Sequence, residues 1–565
     1  RRRVVPLTPP SAFGASSFEN GEIVSRLADG ALPREASASD PAGFASAAFA
    51  WELEIPAGGA RDVLVAVPLG AASLAMPLDA ARDFESRQSA AARSWREKLD
   101  RVTFRLPAAA EPIAGAARAS LGWILVNRDG PAIQPGSRAY ARSWIRDGAL
   151  TSAALLRLGH ADEVREFLRW FAPFQFESGA VPCCVDRRGA DPVPENDSHG
   201  ELLFLAAEYF RFTGDRATLE EVWPYLAKAA AYIERLRQSR RTEEYRSGEK
   251  LLFFGLLPES ISHEGYSDHP VHSYWDDFWA VQGLSDAADL ARALNRGEEA
   301  VRLTASRDEL RHDVHASIRR VIAARGIDFI PGSADLGDLD PTSTTISIEP
   351  CGEAGRLPRR ELSNTFDRYW ERFIARRAHR ATEGEYTPYE WRVAGSFVRL
   401  NRRDRAQALF DFFFSDRRPA AWNHWAEVVW PDPRSPKFIG DMPHGWVGSD
   451  FIRSFLDLFA YDREEDGTLV LGAGVPASWL ADPRGVAVSK LQTRYGPLDL
   501  TLRADRSAVR VRIAGACVVP PGGFVVPWPL EGRPSSATVN GKAAGISPDG
   551  EVLLRETPAD VVIVK

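Results

Sequence analysis

The stretch SYWDDFWAVQGL, residues 273 to 284, sets two adjacent carboxylates between aromatic residues at a predicted helix start. A carboxylic acid beside Trp275 and Trp279 loses contact with water, which disfavours its charged form, and a neighbouring carboxylate acts in the same direction. The pattern therefore predicts that Asp276 or Asp277 holds a proton near neutral pH and serves as a catalytic acid. The structural alternative is helix capping, because aspartate also stabilises helix N-termini.

Two earlier stretches, SRAYARSWIRDGAL and VPENDSHGE, combine the same residue types. In the first, Arg146 and Asp147 can hydrogen-bond neighbouring hydroxyls of a sugar while Trp144 covers the apolar face of the ring. An ion pair at a helix entry is the structural alternative. In the second, Asp197 or Ser198 is a good helix N-cap, so capping competes with a role in binding.

Aromatic residues and acids alternate most densely in the stretch from 420 to 451. A sugar ring has apolar CH faces and hydroxyl edges, and this mixture of side chains suits both. A single tryptophan would be explained by core packing, whereas four within 25 residues favour carbohydrate binding. The residues are Trp422, Trp425, Trp430 and Trp446, with Glu427, Asp441 and His444 among them.

Two further stretches hold candidate binding residues. EGEYTPYEWRVAGSF contains Glu390 and Trp391, and the loop before the opening stretch contains Glu259, His263 and His269. No histidine spacing typical of a zinc site occurs, so neither a metal nor another cofactor is predicted.

Composition narrows the class of protein. With 565 residues the chain exceeds what one core usually fills, and 44% hydrophobic and 26% charged residues are typical of a globular protein. A net charge of −7 without a long basic run argues against a nucleic-acid partner. No stretch approaches the roughly 18 uninterrupted apolar residues of a membrane span, so no membrane insertion is expected.

The chain starts RRRVVPLTPP, without an initiator methionine, and has four cysteines. The start indicates a removed signal segment or a trimmed longer sequence, which favours a periplasmic or secreted protein over a cytoplasmic one. The cysteines lack metal-site spacing and are too few for a disulfide framework, so structural roles are expected.

Apolar periodicity divides the chain into four parts. Residues 1–76 resemble part of a β-sandwich, 77–110 a linker helix and connection, 111–462 a helical catalytic domain, and 463–565 a small β domain. Twelve helices in succession indicate six helical hairpins with alternately long and short connections, and long loops on one side are suited to binding residues. The helices are predicted near 112–127, 144–158, 162–172, 197–213, 217–238, 276–292, 297–323, 342–348, 359–373, 388–401, 403–415 and 447–460.

The order of these motifs resembles the six-hairpin glycosidase superfamily, which includes glucoamylase, trehalase and the glucosidase half of glycogen debranching enzyme. Trp144 to Asp147 resembles the W-x-R-D motif that holds the innermost sugar, and Trp275-Asp276 resembles the general acid. Gly440 to Gly448 resembles the last-hairpin signature, with the base, here Glu427, shortly upstream. In the debranching-enzyme branch the acid opens a helix before an apolar run, which would point to Asp197 instead.

The resemblance implies a mainly α protein whose (α/α)6 toroid is flanked by an N-terminal β-sandwich segment and a C-terminal β domain. It also implies an exo-acting, inverting glycoside hydrolase, in which Asp276 protonates the glycosidic oxygen and Glu427 activates water from roughly 6.5–9.5 Å away. A terminal α-linked, glucose-like sugar is expected, with an α-L-rhamnoside or another sugar as the alternative. Phosphorolysis and non-catalytic carbohydrate binding are further alternatives. The expected substrate contacts are Trp144, Arg146, Asp147, Asn196, Glu259, Tyr274, Trp275, Glu390, Trp391, Trp425, His444 and Trp446.

Overall fold

A computed structural model describes residues 4–67, 80–263, 265–379, 385–432, 434, 437–505 and 507–565. The chain separates into two compact units, Arg1–Lys98 and Leu99–Lys565. The four-part division expected from the sequence stays a prediction. None of the helices in the described ranges has both the length and the apolar character that a membrane span needs.

The described part of the first unit contains short strands and two helices. Strand β1 (Val5–Pro6) pairs with β4 (Val65–Ala66), and β2 (Ala12–Ser16) pairs with β3 (Ser46–Ala50). Helix α1 is Ile23–Ala28, and α2, Ala80–Leu99, corresponds to the predicted linker helix. The expected β-sandwich segment is therefore seen, in the part described, only as two two-stranded sheets. Residues 68–79, which span the predicted end of the β-sandwich segment at 76 and the start of the linker, lie outside the described residues.

Twelve helices follow among the described residues between 111 and 457, and each corresponds to a predicted one, with most ends within a few residues. They are α3 Glu111–Asn127, α4 Ile145–Arg157, α5 Ala161–Phe171, α6 Ser198–Thr213, α7 Arg216–Gln238, α8 Tyr274–Ala293, α9 Gly297–Arg325, α10 Pro341–Ile348, α11 Arg359–Ala378, α12 Trp391–Arg399, α13 Arg403–Ser415 and α14 Gly445–Asp457.

Every second helix belongs to a closed ring. Helices α4, α6, α8, α10, α12 and α14 pack side by side in that order, and α14 packs back against α4. The other six pack against ring helices, and α5 and α7 carry exposed polar faces. Most of α4, α6 and α8 is buried around the whole circumference, as expected for helices enclosed by neighbours.

Two glycines bring α6 and α8 unusually close. A Cβ atom on Gly200 would overlap the backbone carbonyl of Trp279, and one on Gly283 would lie 2.7 Å from the Cα of Gly200. Any larger side chain would force the helices apart. The close approach places the first turn of α6 against residues 279–283 of α8.

An antiparallel sheet and a mixed sheet make up the described C-terminal part. The strands of the second unit are β5 Thr103–Arg105, β6 Ser143–Trp144, β7 Cys184–Asp186, β8 Gly189–Ala190, β9 Ala460–Arg463, β10 Thr468–Leu471, β11 Val486–Thr493, β12 Gly496–Ala504, β13 Ala508–Gly515, β14 Gly523–Pro527, β15 Ser536–Val539, β16 Lys542–Ala544, β17 Glu551–Leu554 and β18 Ala559–Val564, with a short helix α15, Ala477–Leu480. A seven-stranded sheet has the order β16-β15-β18-β13-β12-β11-β5, and a four-stranded sheet, in which β10 and β14 are parallel, has the order β17-β14-β10-β9. Strand β5 therefore joins the C-terminal sheet, although it precedes the helical ring in the chain.

Candidate functional site

The N-terminal ends of five ring helices meet at one end of the ring. Trp144 and His444 are the N-caps of α4 and α14, and Asp197 is the N-cap of α6. Trp275 lies in the first turn of α8, and Arg392 in that of α12. Contacts among these five first turns bring together residues that lie far apart in the sequence.

Arg146 connects two of these helices. Its buried guanidinium donates from Nη1 to Glu195 at 2.5 Å and to Asp197 at 3.1 Å. It also lies 5.2 Å from the centre of the Trp446 ring. Carboxylates and an aromatic face offset the cost of burying a cation, so the arginine and its acids form one electrostatic unit.

Asp197 is held from a second side by α8. The indole Nε1 of Trp275 donates to its Oδ2 at 2.8 Å. The Trp275 ring lies 5.2 Å from the guanidinium of Arg392 and 4.9 Å, edge on, from the imidazole of His263. Asp197 thus accepts hydrogen bonds from both α4 and α8.

The two adjacent acids of α8 point to different surroundings. The carboxylate of Asp276 accepts hydrogen bonds from Ser260 Oγ at 2.6 Å and from Ser262 Oγ at 2.8 Å, and burial, followed by the charge of Asp197, raises its pKa well above the usual range. Asp277 accepts from the backbone N–H of Leu257 at 2.9 Å, and burial raises its pKa to about 8. Asp277 therefore holds a loop, and Asp276 is the acid that lies near Asp197.

A further acid, Glu201, lies one helical turn after Asp197 on α6. It is fully buried, and no donor among the described residues reaches either of its carboxyl oxygens or Asp197 Oδ1. Burial and the charge of Asp197 raise the pKa of Glu201 well above its usual range. A protonated Glu201 can donate to Asp197, which would satisfy Asp197 Oδ1 and one of the two Glu201 oxygens.

Glu427 is held by two tyrosines at the same end of the ring. Tyr140 Oη donates to Oε2 at 2.6 Å, and Tyr389 Oη donates to Oε1 at 2.9 Å. Burial raises the pKa of Glu427, and both tyrosine hydrogen bonds oppose that shift. His444 Nε2 lies 3.9 Å from Oε2, and burial lowers the pKa of His444 to about 3, which leaves the imidazole neutral.

Trp446 lies between the two groups of acids. Its ring centre is 4.2 Å from that of Tyr389 on the Glu427 side, and its ring lies against Arg146 and Arg392. Carboxylates therefore lie on both sides of Trp446, one group around Arg146 and one at Glu427.

Asp441 holds a loop of the site in position. Among the described residues, it makes no direct contact with the acids around Arg146. Its carboxylate accepts from the backbone N–H groups of Arg138, Ala139 and Tyr140 at 2.8, 3.1 and 3.1 Å. These bonds fix the loop that carries Tyr140. Asp441 therefore fixes the loop that places Tyr140 beside Glu427, and its charge also contributes to the raised pKa of Glu427.

Several predicted substrate contacts lie in other environments. Trp391 and Trp425 are fully buried among Phe410, Phe413 and Phe451, so core packing explains them and they are not retained in the proposed site.

The polar groups of four other predicted substrate contacts bind neighbouring protein groups. The carboxylate of Glu390 binds Arg376 through both oxygens and accepts from Tyr369, and Tyr274 Oη is paired with Ser317 Oγ at 2.8 Å. Glu259 is ion-paired with Arg240, and Asn196 donates to the carbonyl oxygen of Pro258 at 2.8 Å.

Four site residues were not predicted from the sequence: Tyr140, Glu201, Tyr389 and Arg392. Tyr140 could have been noticed four residues before the W-x-R-D motif, and Glu201 four residues after Asp197, a spacing that puts both acids on one helix face. For the other two, no local pattern distinguishes a site residue from an ordinary loop or helix residue.

Comparisons with known proteins identify the fold. No protein-family model and no curated protein sequence matches this chain. Among solved structures, an α-L-rhamnosidase from Dictyoglumus thermophilum matches 82% of the chain with a TM-score of 0.56 and 12% identity, over 50% of its own length. The α-L-rhamnosidase of Streptomyces avermitilis, solved with L-rhamnose, matches 82% of the chain with a TM-score of 0.53 and 14% identity, over 42% of its length.

A third structure agrees with these two. A GH78 family rhamnosidase from Bacillus sp. GL1 matches 75% of the chain with a TM-score of 0.52 and 13% identity, over 42% of its length. The chain thus spans half or less of the length of the rhamnosidases that it matches. At these identities the likeness establishes a glycoside hydrolase fold.

Proposed function

We propose that this protein is an inverting glycoside hydrolase that releases a terminal sugar from an oligosaccharide or glycoconjugate, with an α-L-rhamnoside as the first candidate substrate. The observation that carries the proposal is the placement of Glu427, held by two tyrosines, across Trp446 from the acids around Arg146. The glycoside hydrolase fold supports the same reaction class. We further propose that the ring of six helices and its six partners form an (α/α)6 toroid.

In the proposed mechanism Asp276 donates a proton to the glycosidic oxygen. Asp197 supports this role because its negative charge, kept by Arg146 and Trp275, raises the pKa of Asp276 beyond the effect of burial. A protonated carboxyl beside an ionised one is the usual solution when two acids share a site.

Glu427 is the proposed base. In its ionised form it accepts a proton from the water that attacks the sugar from the opposite face, and the two tyrosines keep both oxygens in place. Arg146, Asp147, Trp144, Trp275, His444 and Trp446 are retained as proposed sugar contacts, joined by His263 and Arg392.

The sugar is proposed from two considerations. Three solved structures with the same fold are named rhamnosidases, which favours an α-L-rhamnoside. The apolar ring of Trp446, beside polar Arg146, suits a 6-deoxy sugar with its methyl group. The W-x-R-D resemblance keeps a glucose-like α-linked sugar as the second candidate.

Kinetic assays on 4-nitrophenyl glycosides test the reaction class. We expect hydrolysis of the α-L-rhamnoside above that of the α-D-glucoside, with NMR detecting release of the inverted anomer first. Retention of configuration, or no hydrolysis of any glycoside in the panel, would overturn the proposal. Faster turnover with added inorganic phosphate would indicate phosphorolysis instead.

Variants distinguish the proposed catalytic acid from the proposed base. Glu427→Gln should lose at least about a thousandfold in kcat, with partial recovery in azide, since a small anion can replace the activated water. Asp276→Asn should lose activity mainly on substrates with poor leaving groups, because an activated phenol leaves without a proton. If Asp197→Asn shows that leaving-group dependence and Asp276→Asn does not, Asp197 is the acid.

A further inference from the structure

Two adjacent cysteines lie behind the proposed sugar site. The Sγ atoms of Cys183 and Cys184 are 3.4 Å apart, and both residues are buried, with exposed fractions of 4% and 1%. Successive side chains along a strand normally point to opposite faces. Here Cys183 immediately precedes strand β7, and the two sulfurs face each other at the strand entrance.

Backbone hydrogen bonds hold this pair on both sides. The carbonyl oxygen of Cys183 accepts from the N–H of Ile145 at 2.9 Å, and that of Cys184 accepts from the N–H of Asp191 at 2.9 Å. Cys184 lies opposite Trp144 in the β6-β7 ladder. The thiols are thus fixed in position rather than brought together by a flexible loop.

The other two cysteines lie elsewhere. Cys351 Sγ donates to the backbone carbonyl of Phe278, and Cys517 lies beside Thr493 in the C-terminal sheets. No other cysteine partner for Cys183 or Cys184 occurs in the described structure.

We propose that Cys183 and Cys184 form a modification site that closes as a vicinal disulfide when a small hydroperoxide oxidises it. The Cys184 thiol gives up its proton as its sulfur attacks a peroxide oxygen; the O–O bond breaks, a sulfenic acid forms, and the departing hydroxide or alkoxide takes up that proton and leaves as water or an alcohol. The Cys183 sulfur then attacks the sulfenic sulfur, the S–S bond forms, and the hydroxyl leaves as water with the Cys183 proton. The two thiols together lose two electrons, and these electrons reduce the O–O bond of one peroxide molecule.

A metal site is a weaker explanation of the same residues. A carboxylate oxygen of Asp191 lies within 4.8 Å of both sulfurs, so three ligand atoms are available. However, Asp191 is ion-paired with Arg142 at 3.2 Å, and that guanidinium would repel a cation. The hydrogen bond with Cys184, together with burial, also raises the pKa of the Cys183 thiol. A metal bound by both sulfurs needs both as thiolates, whereas the peroxide reaction ionises only Cys184 and uses Cys183 as a thiol.

The disulfide would be readily reversible. Adjacent Cα atoms across a trans peptide are about 3.8 Å apart, below the usual span of a disulfide. A strained disulfide is more easily reduced than a structural one.

Closure would affect the proposed active site, and this part of the inference rests on the proposed function. Cys183 and Cys184 pack with Trp144 against Tyr140, and Tyr140 donates to Glu427. Moving the two sulfurs about 1.4 Å closer, to the length of a disulfide bond, changes the surface on which Trp144 and Tyr140 rest. Slower turnover is therefore expected in the oxidised form.

Mass spectrometry tests the modification independently of catalysis. The folded full-length chain is treated with hydrogen peroxide, quenched with an alkylating reagent and digested with trypsin. The tryptic peptide 170–187 contains these two cysteines and no others. It should be lighter by two hydrogen atoms and resist alkylation, and dithiothreitol should restore both thiols.

Matched variants provide the controls. Cys183→Ala should abolish the loss of two hydrogens and leave Cys184 to gain oxygen atoms, Cys184→Ala should abolish both changes, and Cys351→Ala should behave like wild type. Gain of oxygen in the wild-type peptide, or free wild-type thiols at peroxide concentrations that oxidise the Cys183→Ala variant, would overturn the proposal.

Activity is a separate measurement. Peroxide should lower wild-type turnover several-fold, dithiothreitol should restore it, and the double Cys183→Ala, Cys184→Ala variant should be insensitive. If the disulfide forms with turnover unchanged, the modification site stands and its coupling to Tyr140 is wrong. If no substrate is turned over at all, the proposed function fails while the mass result still decides the modification.

Discussion

Glu427 depends on the tyrosines that hold it. Burial disfavours its ionised form and raises its pKa, and the hydroxyls of Tyr140 and Tyr389 oppose that change. Tyr140 is itself held by the backbone bonds that its loop makes to Asp441. The ionisation and position of the proposed base are thus set by residues that never contact the sugar in the proposed mechanism.

Replacing Tyr140 should therefore change the pH dependence of the reaction. In Tyr140→Phe the charged form of Glu427 loses a hydrogen bond that opposes the effect of burial, so its pKa rises. Because the base must be ionised, the acid limb of the kcat/KM profile should move to higher pH. Tyr389→Phe removes the other tyrosine hydrogen bond to Glu427 and should shift the acid limb in the same direction. A lower rate with an unmoved acid limb would contradict the role of Tyr140.

The buried Glu201 gives a second prediction at the residue scale. Glu201→Gln keeps a donor for Asp197 and should retain near wild-type melting temperature and activity at pH 6. Glu201→Leu leaves Asp197 Oδ1 without a donor, which should cost about 1–3 kcal/mol of the unfolding free energy and lower turnover. Circular-dichroism melting and steady-state kinetics measure both. Equal behaviour of the two variants would rule out the acid-carboxylate hydrogen bond.

Helix α8 combines two functions in its first turn. Asp276 lies near Asp197, whereas Asp277 turns away and binds the backbone N–H of Leu257. The same two residues that look equivalent in the sequence therefore hold different partners. Their helical spacing of one residue, about 100° around the axis, separates the two carboxyls.

Asp277 makes stability depend on pH. Burial raises its pKa from the unfolded value of 3.8 to about 8, so the folded chain holds a proton that the unfolded chain releases above pH 4. The stability that Asp277 contributes is thus lost as pH rises from about 4 to 8, and this contribution changes no further above that range. A difference of one pH unit between the folded and unfolded pKa values corresponds to about 1.4 kcal/mol of unfolding free energy.

The variant Asp277→Asn should reverse this loss. It keeps the acceptor for Leu257 and has no proton to release, so its melting temperature relative to wild type should rise between pH 5 and pH 8.5. Asp277→Ala, which lacks the acceptor, should be destabilised at both pH values. A constant difference between Asp277→Asn and wild type across this range would contradict the raised pKa.

At the scale of the molecule, the helical ring and the C-terminal sheets share one hydrophobic core. The ring centre of Phe104, in strand β5, lies 4.9 Å from that of Phe455 in α14 and 5.6 Å from that of Phe459 just after α14. Strand β5 pairs with β11, which lies some 380 residues later in the chain. The sheets thus stabilise the ring by covering apolar surface that would otherwise contact water.

Truncations test this dependence. A 99–565 chain should melt cooperatively and keep its hydrolytic activity, because every proposed site residue lies between Tyr140 and Trp446. A 1–462 chain should aggregate or melt without cooperativity, since it exposes the core side chains now covered by the sheets. Size-exclusion chromatography and thermal melting distinguish the two. A soluble, cooperative 1–462 chain would contradict the shared core.

Much of this fold and part of the candidate site were predictable from the sequence. The twelve helices follow from apolar spacing and local stop signals, which depend on neighbours within a few residues. Trp144, Arg146, Asp147, Asp276 and Glu427 were likewise singled out by residue type, whereas the W-x-R-D motif and the acid and base roles came from resemblance to a known superfamily. Their joint position at the ring end remained an expectation drawn from resemblance.

The tertiary structure decided which of these side chains meet. Trp391, Trp425 and Trp446 have similar local patterns, yet two pack in the core and one lies between the two groups of acids, because closure of the ring sets which way each helix end faces. The donors to Asp197 and Glu427 come from residues 51, 78, 287 and 38 positions away. Such distant partners follow from helix packing across the whole ring, which local sequence patterns do not encode.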